Sequence, residues 1–269
     1  MANPEFQFNF KFNLHKSVIP IGLRDDDYES LAVAYGVPLE EMMAEADADR
    51  LSNQNEAKLL SDAFHSAKSV LKGKRIAFLG DSISSDRRSF VNIIRTAVGE
   101  EDTRFLDDSV SAYKLIDIIT NYYPRVTDFQ PDIVHLMIGT NDLKRTTDPM
   151  ALQLVKPEEY RRELEYLLKV FNMRGIKVIA STLPPVDDEK VRAAYWDCNA
   201  CYLQEDRDAY IRVLREEVAK AKCILNDMEA IYARYSTDEL TIYDGLHLNA
   251  LGQRLMAHAV ISKLIEALG

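Results

Sequence analysis

Three short stretches carry residue types that belong together in acyl-transfer chemistry. "RIAFLGDSISSDRRSF", over 75–90, begins as an apolar strand and breaks at Gly80, Asp81 and Ser82. "MIGTND" closes a later apolar run with Asn141, and "YDGLHLNALGQ" supplies Asp244 and His247. A serine hydroxyl is a weak nucleophile until a base takes its proton, and an imidazole with a pKa of about 6.5 can take it at neutral pH and return it to the leaving group. Ser82 is therefore the candidate nucleophile and His247 the candidate base. An imidazole doing this work needs a carboxylate on its other ring nitrogen, and Asp244 would turn back along the loop to provide one. Asn141 can offer a side-chain N–H beside the backbone N–H of Ser82, where a carbonyl oxygen becomes anionic. Such a donor is typically worth about a hundredfold or more in rate.

Those side chains need a scaffold that brings them to one place. "RIAFLG", "TRFLDD", "DIVHLMIG", "KVIAST" and "CILND" read as short buried strands, and the amphipathic stretches near 88–98, 112–123, 157–173, 204–221 and 249–267 read as helices. Strands alternating with helices give an α/β fold, with right-handed crossovers and a parallel sheet covered on both faces. In such folds sites gather beyond the carboxyl ends of the strands. Ser82 directly follows the first strand and Asn141 the third, so both belong to that edge.

The blocks "FLGDSIS", "IGTND" and "DGLHLNALG", in this order and at these separations, resemble the SGNH or GDSL-type serine hydrolases. The likeness covers roughly residues 74–269, with Ile83 where the family usually has leucine. It implies a three-layer α/β/α flavodoxin-like fold whose central parallel sheet has about five strands. The activity it implies is serine-dependent hydrolysis of carboxylic esters through an acyl-enzyme, the ester being acyl or acetyl and its alcohol a carbohydrate among others. Ser82 would then be nucleophile, His247 base, Asp244 its partner and Asn141 an oxyanion donor, with no cofactor and no metal. Two other readings fit the same fold: a non-catalytic module that binds a small molecule or glycan, and an acyltransferase that passes the acyl group to an alcohol.

One block departs from the family pattern. A glycine usually follows the second strand and lends its backbone N–H to the oxyanion hole, whereas "FLDDSVSAYKL" has none there. Ala112 is the best positional match, with Ser109 or Ser111 next if the register slips. Alanine can serve unless the position demands a positive φ, which costs on the order of 1–2 kcal/mol.

Other polar residues have simpler roles. Asp81 and Asp142 are placed to hold loops through backbone N–H groups, His135 reads as a core residue of a strand, and Asn249 with Gly252 opens the last helix. His15, His65 and His258 have no partner pattern. Cys198 and Cys201 form a C-x-x-C without a second pair or a nearby histidine, so a redox or zinc role is not expected. The long connection through "AAYWDCNACYLQ" brings Tyr195, Trp196 and Tyr202, which either wall a substrate pocket or bury against the sheet. "LKRTTDPMALQLVKPEEY" would form the opposite wall, where Lys144 or Arg145 could meet an anionic group.

At 269 residues the chain is long enough for a full-sized core, and a composition of 47% hydrophobic and 28% charged residues is that of a globular protein. A net charge of −10 works against nucleic acid or an anionic membrane as partner and favours a small-molecule ester. Three cysteines leave one unpaired in any disulfide scheme, and no secretory signal or membrane span is visible, so the cytoplasm is the expected location. Residues 1–73 form an N-terminal arm and helical extension before a catalytic domain over 74–269. The arm, "EFQFNFKFNL", alternates Phe with polar residues, which predicts an extended segment on a surface or an edge strand. Residues 25–72 read as two or three helices whose apolar stripe of Leu59, Leu60, Phe64, Ala67 and Leu71 must be covered by the catalytic domain or by another subunit. Packing or homo-oligomerisation is the expected role of the extension, and the Ser82 chemistry does not call for it.

Overall fold

The computed structural model describes all residues except 1–2, 19–22, 122–124 and 196–197. The chain opens with helices α1 (Pro4–Lys11), α2 (His15–Val18), α3 (Tyr28–Tyr35), α4 (Leu39–Leu59) and α5 (Ser61–Leu71). Then follow β1 (Arg75–Gly80), α6 (Ser82–Ser85), α7 (Phe90–Val98), β2 (Arg104–Asp107), α8 (Leu115–Asn121), α9 (Arg125–Phe129) and β3 (Ile133–Met137). The last part comprises α10 (Pro157–Met173), β4 (Lys177–Ser181), α11 (Asp188–Ala194), α12 (Gln204–Ala221), β5 (Ile224–Asn226), α13 (Met228–Tyr232), α14 (Thr237–Leu240) and α15 (Ala250–Leu268). All five strands pair in parallel, in the order β2-β1-β3-β4-β5.

Successive side chains of a strand point to opposite faces, and the core divides accordingly. Ala77, Leu79, Val134, Leu136, Val178 and Ala180 face one layer with α8, α10 and α12. Ile76, Phe78, Ile133, Met137 and Ile179 face the other, where Phe64, Phe90 and Met256 come from α5, α7 and α15. This is the three-layer α/β/α arrangement expected from the sequence. Among the described residues no helix is long and apolar enough to cross a membrane.

The apolar stripe of the extension is covered from within the chain. Phe64, Ala67 and Leu71 are buried where α5 packs on α15, whereas Leu59 stays exposed. His15, which has no partner pattern in the sequence, is buried between the Asp25 carboxylate at 3.1 Å and the Tyr35 hydroxyl at 3.0 Å. The side chain of His65 lies outside the described ones.

The arm is a helix, not a strand. The Asn3 side chain accepts the Glu5 N–H and Pro4 takes the first helical position, two signals that start a helix. Phenylalanines at every second position are also two pairs one helical turn apart, so the alternation fits either structure. The pairs point different ways. Phe6 and Phe10 stack at 5.6 Å within a small core with Leu31 and Met42, while Phe8 and Phe12 meet at 4.9 Å over the carboxyl edge of the sheet. The Arg87 guanidinium lies 3.8 Å from the Phe10 ring and donates to the Phe10 and Asp25 carbonyls, fastening α1 to the loop after α6.

If α5 is an integral part of the core, Phe64→Ala costs about 3–5 kcal/mol, as for other buried phenylalanines. Urea unfolding followed by circular dichroism reads this directly; a loss below about 1 kcal/mol would mean that α5 packs loosely.

Candidate active site

β1 ends at Gly80, and its short distance from the next turn sets the position of Ser82. A Cβ at Gly80 would approach the Met137 carbonyl to 2.8 Å and the Ser84 hydroxyl to 2.4 Å, so only glycine lets the chain turn this tightly. Asp81 is fully buried and accepts the Ile83 N–H at 3.0 Å, which starts α6 with Ser82 as its first residue. Gln253 of α15 holds the same turn from behind. Its amide accepts the Phe90 N–H at 2.8 Å and donates to the Ile83 carbonyl at 3.0 Å.

His247 stands opposite, with Nε2 2.8 Å from Ser82 Oγ. Its Nδ1 is 2.6 Å from Asp244 Oδ2, and Asp244 Oδ1 accepts the N–H groups of Leu246 and His247 at 2.9 and 3.0 Å. The carboxylate thus turns back along its own loop. Gly245 makes this possible with φ +69°, and a side chain there would collide with Asp187 and Lys190. A further donor without any signal in the sequence, the Tyr195 hydroxyl, reaches Asp244 Oδ2 at 2.9 Å from a loop 49 residues earlier. Burial alone would raise the pKa of Asp244, but the hydrogen bonds and charge of His247 and the two backbone N–H groups hold it below the ordinary carboxylate value. The Tyr195 hydroxyl is shifted far upward, by burial first and then by the Asp244 charge, so it remains a donor.

Three residues around one cavity carry N–H groups of interest. Asn141 Nδ2 donates to the Tyr113 carbonyl at 3.0 Å, and its second N–H remains available. The backbone N–H groups of Ser82 and Ala112 make no hydrogen bond among the described residues. All three residues line one cavity of about 220 Å³. Ser109 does not fit this role, because its N–H is taken by Asp107 at 3.0 Å; Ser111 also lines the cavity and donates its hydroxyl to the Phe12 carbonyl. Ala112 has φ +67°, the left-handed conformation that glycine adopts without cost.

Asp142 ties the Asn141 loop to the start of α8 by accepting the Leu115 N–H at 3.0 Å. Neither it nor Asp81 lines the cavity, in keeping with a loop-holding role. Burial is the main reason that the Asp142 carboxyl rises to about 7 and the Asp81 carboxyl to about 6. His135 is fully buried in β3, 2.7 Å from the Ser181 hydroxyl, and burial pushes it down to about 3.

The cavity walls differ from the sequence reading. Tyr195 and Tyr202 do line it, and Trp196 lies outside the described residues. The segment after Asn141 is not an opposite wall. It pairs with the Cys201 segment through Arg145 and Cys201, each N–H donating to the other's carbonyl at 3.0 and 2.8 Å, so the two form one continuous side. Arg145 is engaged by Asp206 rather than open to a substrate, whereas Lys144 lines the cavity. Cys201 forms no disulfide among the described residues, and Asn249 caps α15 by accepting the Gly252 N–H. The wall that the sequence reading missed comes from α1: Phe8 and Phe12 line the cavity, and the Phe12 ring lies 4.1 Å from that of His247.

The profile of the GDSL-like Lipase/Acylhydrolase family matches residues 78–255, which hold Ser82, Asn141, Asp244 and His247. The chain belongs to this family. Its fold is similar to that of a lipase/acylhydrolase from Enterococcus faecalis, at 21% identity and a TM-score of 0.60, over 73% of this chain and 97% of that one. An acetylxylan esterase from Geobacillus stearothermophilus aligns at 18% identity and a TM-score of 0.57, over 72% of this chain and 95% of the other. No curated protein matches the chain. As in the family pattern, this GDSL-family chain places its serine at the carboxyl end of β1.

Two outcomes follow from the loops. Ala112→Gly relieves the left-handed strain and, after the added freedom of the unfolded chain, raises stability by about 0.5–1 kcal/mol, measurable by urea unfolding. Asp142 binds its proton more tightly folded than unfolded, so the stability it contributes is full below its ordinary 3.8 and is lost as pH rises through about 7. His135 works the other way, losing stability as pH falls from 6.5 toward about 3. Asp142→Asn keeps an acceptor for Leu115 and removes the titration. Its thermal midpoint therefore falls less between about pH 5 and pH 8 than that of wild type; equal slopes would assign the dependence elsewhere.

Proposed function

We propose that the protein hydrolyses carboxylic esters through an acyl-enzyme on Ser82. The observation that carries this reading is the continuous chain from Ser82 Oγ through both nitrogens of His247 to Asp244, at 2.8 and 2.6 Å. In the acylation step Ser82 Oγ attacks the ester carbonyl carbon as its proton passes to His247 Nε2. The carbonyl oxygen becomes anionic among the N–H groups of Ser82, Ala112 and Asn141. Collapse breaks the bond to the alcohol oxygen, which takes the proton back from Nε2 and departs. Water then repeats the sequence, with His247 as base, and releases the acid. Asp244 keeps Nδ1 protonated and compensates the imidazolium, and Tyr195 donates a further hydrogen bond to Asp244.

A cavity of about 220 Å³ lies below the usual size of a drug-like site and favours a short acyl group. Some of the similar structures are acetylxylan esterases, which makes an acetyl ester of a carbohydrate the first substrate to test. The reading includes an extension over 1–73 preceding a catalytic part over 74–269, supported by a family match that begins at residue 78. It also includes a cytoplasmic setting, supported by Cys201 and Cys223, which form no disulfide among the described residues.

Purified protein is expected to cleave p-nitrophenyl acetate and to be labelled at Ser82 by a fluorophosphonate probe. Ser82→Ala should lower kcat by several orders of magnitude with its fold intact. A folded wild type that neither turns over nor takes the label would favour a binding module, and a new ester formed from added glycerol in place of free acid would favour a transferase.

A further inference from the structure

The wall that α1 adds to the cavity lies outside the family match over 78–255, so it is a feature of this chain rather than of the matched part. It is firmly held. The Phe12 carbonyl accepts the hydroxyls of Ser85 and Ser111, which flank the two loops bearing Ser82 and Ala112. The Arg87 N–H donates to the Lys11 carbonyl at 2.8 Å, Lys11 pairs with the buried Asp86 at 2.7 Å, and Asn13 donates to the Ser85 carbonyl at 2.7 Å. Phe12, its ring tilted 34° and 4.1 Å from that of His247, is 1% exposed and supports the imidazole. Phe8 stands further out, 6.4 Å from the His247 ring and 6.3 Å from that of Tyr195.

A second cavity, of about 320 Å³, lies on the far side of α1, lined by Glu45, Asp49, Arg88 and Tyr243. Phe8 and Phe12 are the two residues common to both cavities and form the partition between them. The position of the partition also selects a side of the substrate. His247 must return its proton to the departing oxygen, so the surface against the imidazole flanks the alcohol of the ester rather than its acyl group.

We propose that Phe8 is a specificity-determining residue whose ring closes the alcohol side of the Ser82 cavity and restricts the enzyme to esters of compact alcohols. This rests on the ester-hydrolysis reading above. Without the ring the two cavities join, and a longer alcohol can extend past α1 toward Tyr243.

The test compares kcat/KM for naphthyl acetate and phenyl acetate, which differ only in the alcohol, and for p-nitrophenyl butyrate and acetate, which differ only in the acyl group. Phe8→Ala is expected to raise the naphthyl-to-phenyl ratio about tenfold, the effect of one or two extra carbons in an apolar pocket. The butyrate-to-acetate ratio should stay as in wild type. Phe8→Trp enlarges the partition and should lower the naphthyl-to-phenyl ratio, so the proposal remains testable if Phe8→Ala does not fold. A naphthyl-to-phenyl ratio unmoved in the folded variants, or a change confined to the acyl series, overturns the role of Phe8 while leaving hydrolysis by Ser82 intact. A wild type that cleaves none of these esters and leaves Ser82 unlabelled overturns both.

Discussion

A carboxylate sealed from water has to find all its hydrogen bonds inside the protein, and Asp244 has no exposed surface. Four donors converge on it: the N–H groups of Leu246 and His247, the His247 ring and the Tyr195 hydroxyl. Each comes with a structural demand. The two backbone donors require the loop to reverse at Gly245, which packs so closely against Asp187 and Lys190 that no side chain fits. The tyrosine requires the segment after α11 to fold over the sheet edge. Satisfying one buried charge therefore fixes the imidazole, the loop that carries it and one wall of the cavity.

The loops on the serine side are bound by a second set of buried polar links. Asp142 joins the Asn141 loop to the start of α8, Gln253 joins α15 to the Ser82 turn, and the Phe12 carbonyl joins α1 to the turns at Ser85 and Ser111. The backbone that carries Ser82, Ala112 and Asn141 is therefore tied to other elements. That rigidity matters because preorganised donors act only if they need not move when charge develops on the substrate.

The strands and the long helices were legible because their apolar periodicity is strong; Ser82 and Asn141 were legible as candidates because their motifs follow strands, and Asp244 and His247 because of their three-residue spacing before the last helix. The α1 helix was not. Phenylalanines at every second position suit a strand and also supply two pairs one turn apart, and the decision falls to Asn3 and Pro4, which cap a helix. Nor could a pattern in sequence reveal the bond from Tyr195 to Asp244 or the pairing of Arg145 with Cys201, since both depend on how distant loops cross. The positive φ of Ala112 was visible only as a condition. A glycine there would have announced the left-handed turn, and alanine conceals it.

Ser82 and His247 are separated by 165 residues, and the helix that holds both their loops, α15, follows all five strands. During synthesis the strands and most helices leave the ribosome before any residue of α15 does. Until then the Ser82 turn lacks Gln253, and the Phe64, Ala67 and Leu71 face of α5 lacks the surface that covers it. Until α15 emerges, the nascent protein thus carries an apolar seam along α5. Its chemistry becomes available in the same docking event that closes the seam, so an unfinished chain is both sticky and inert.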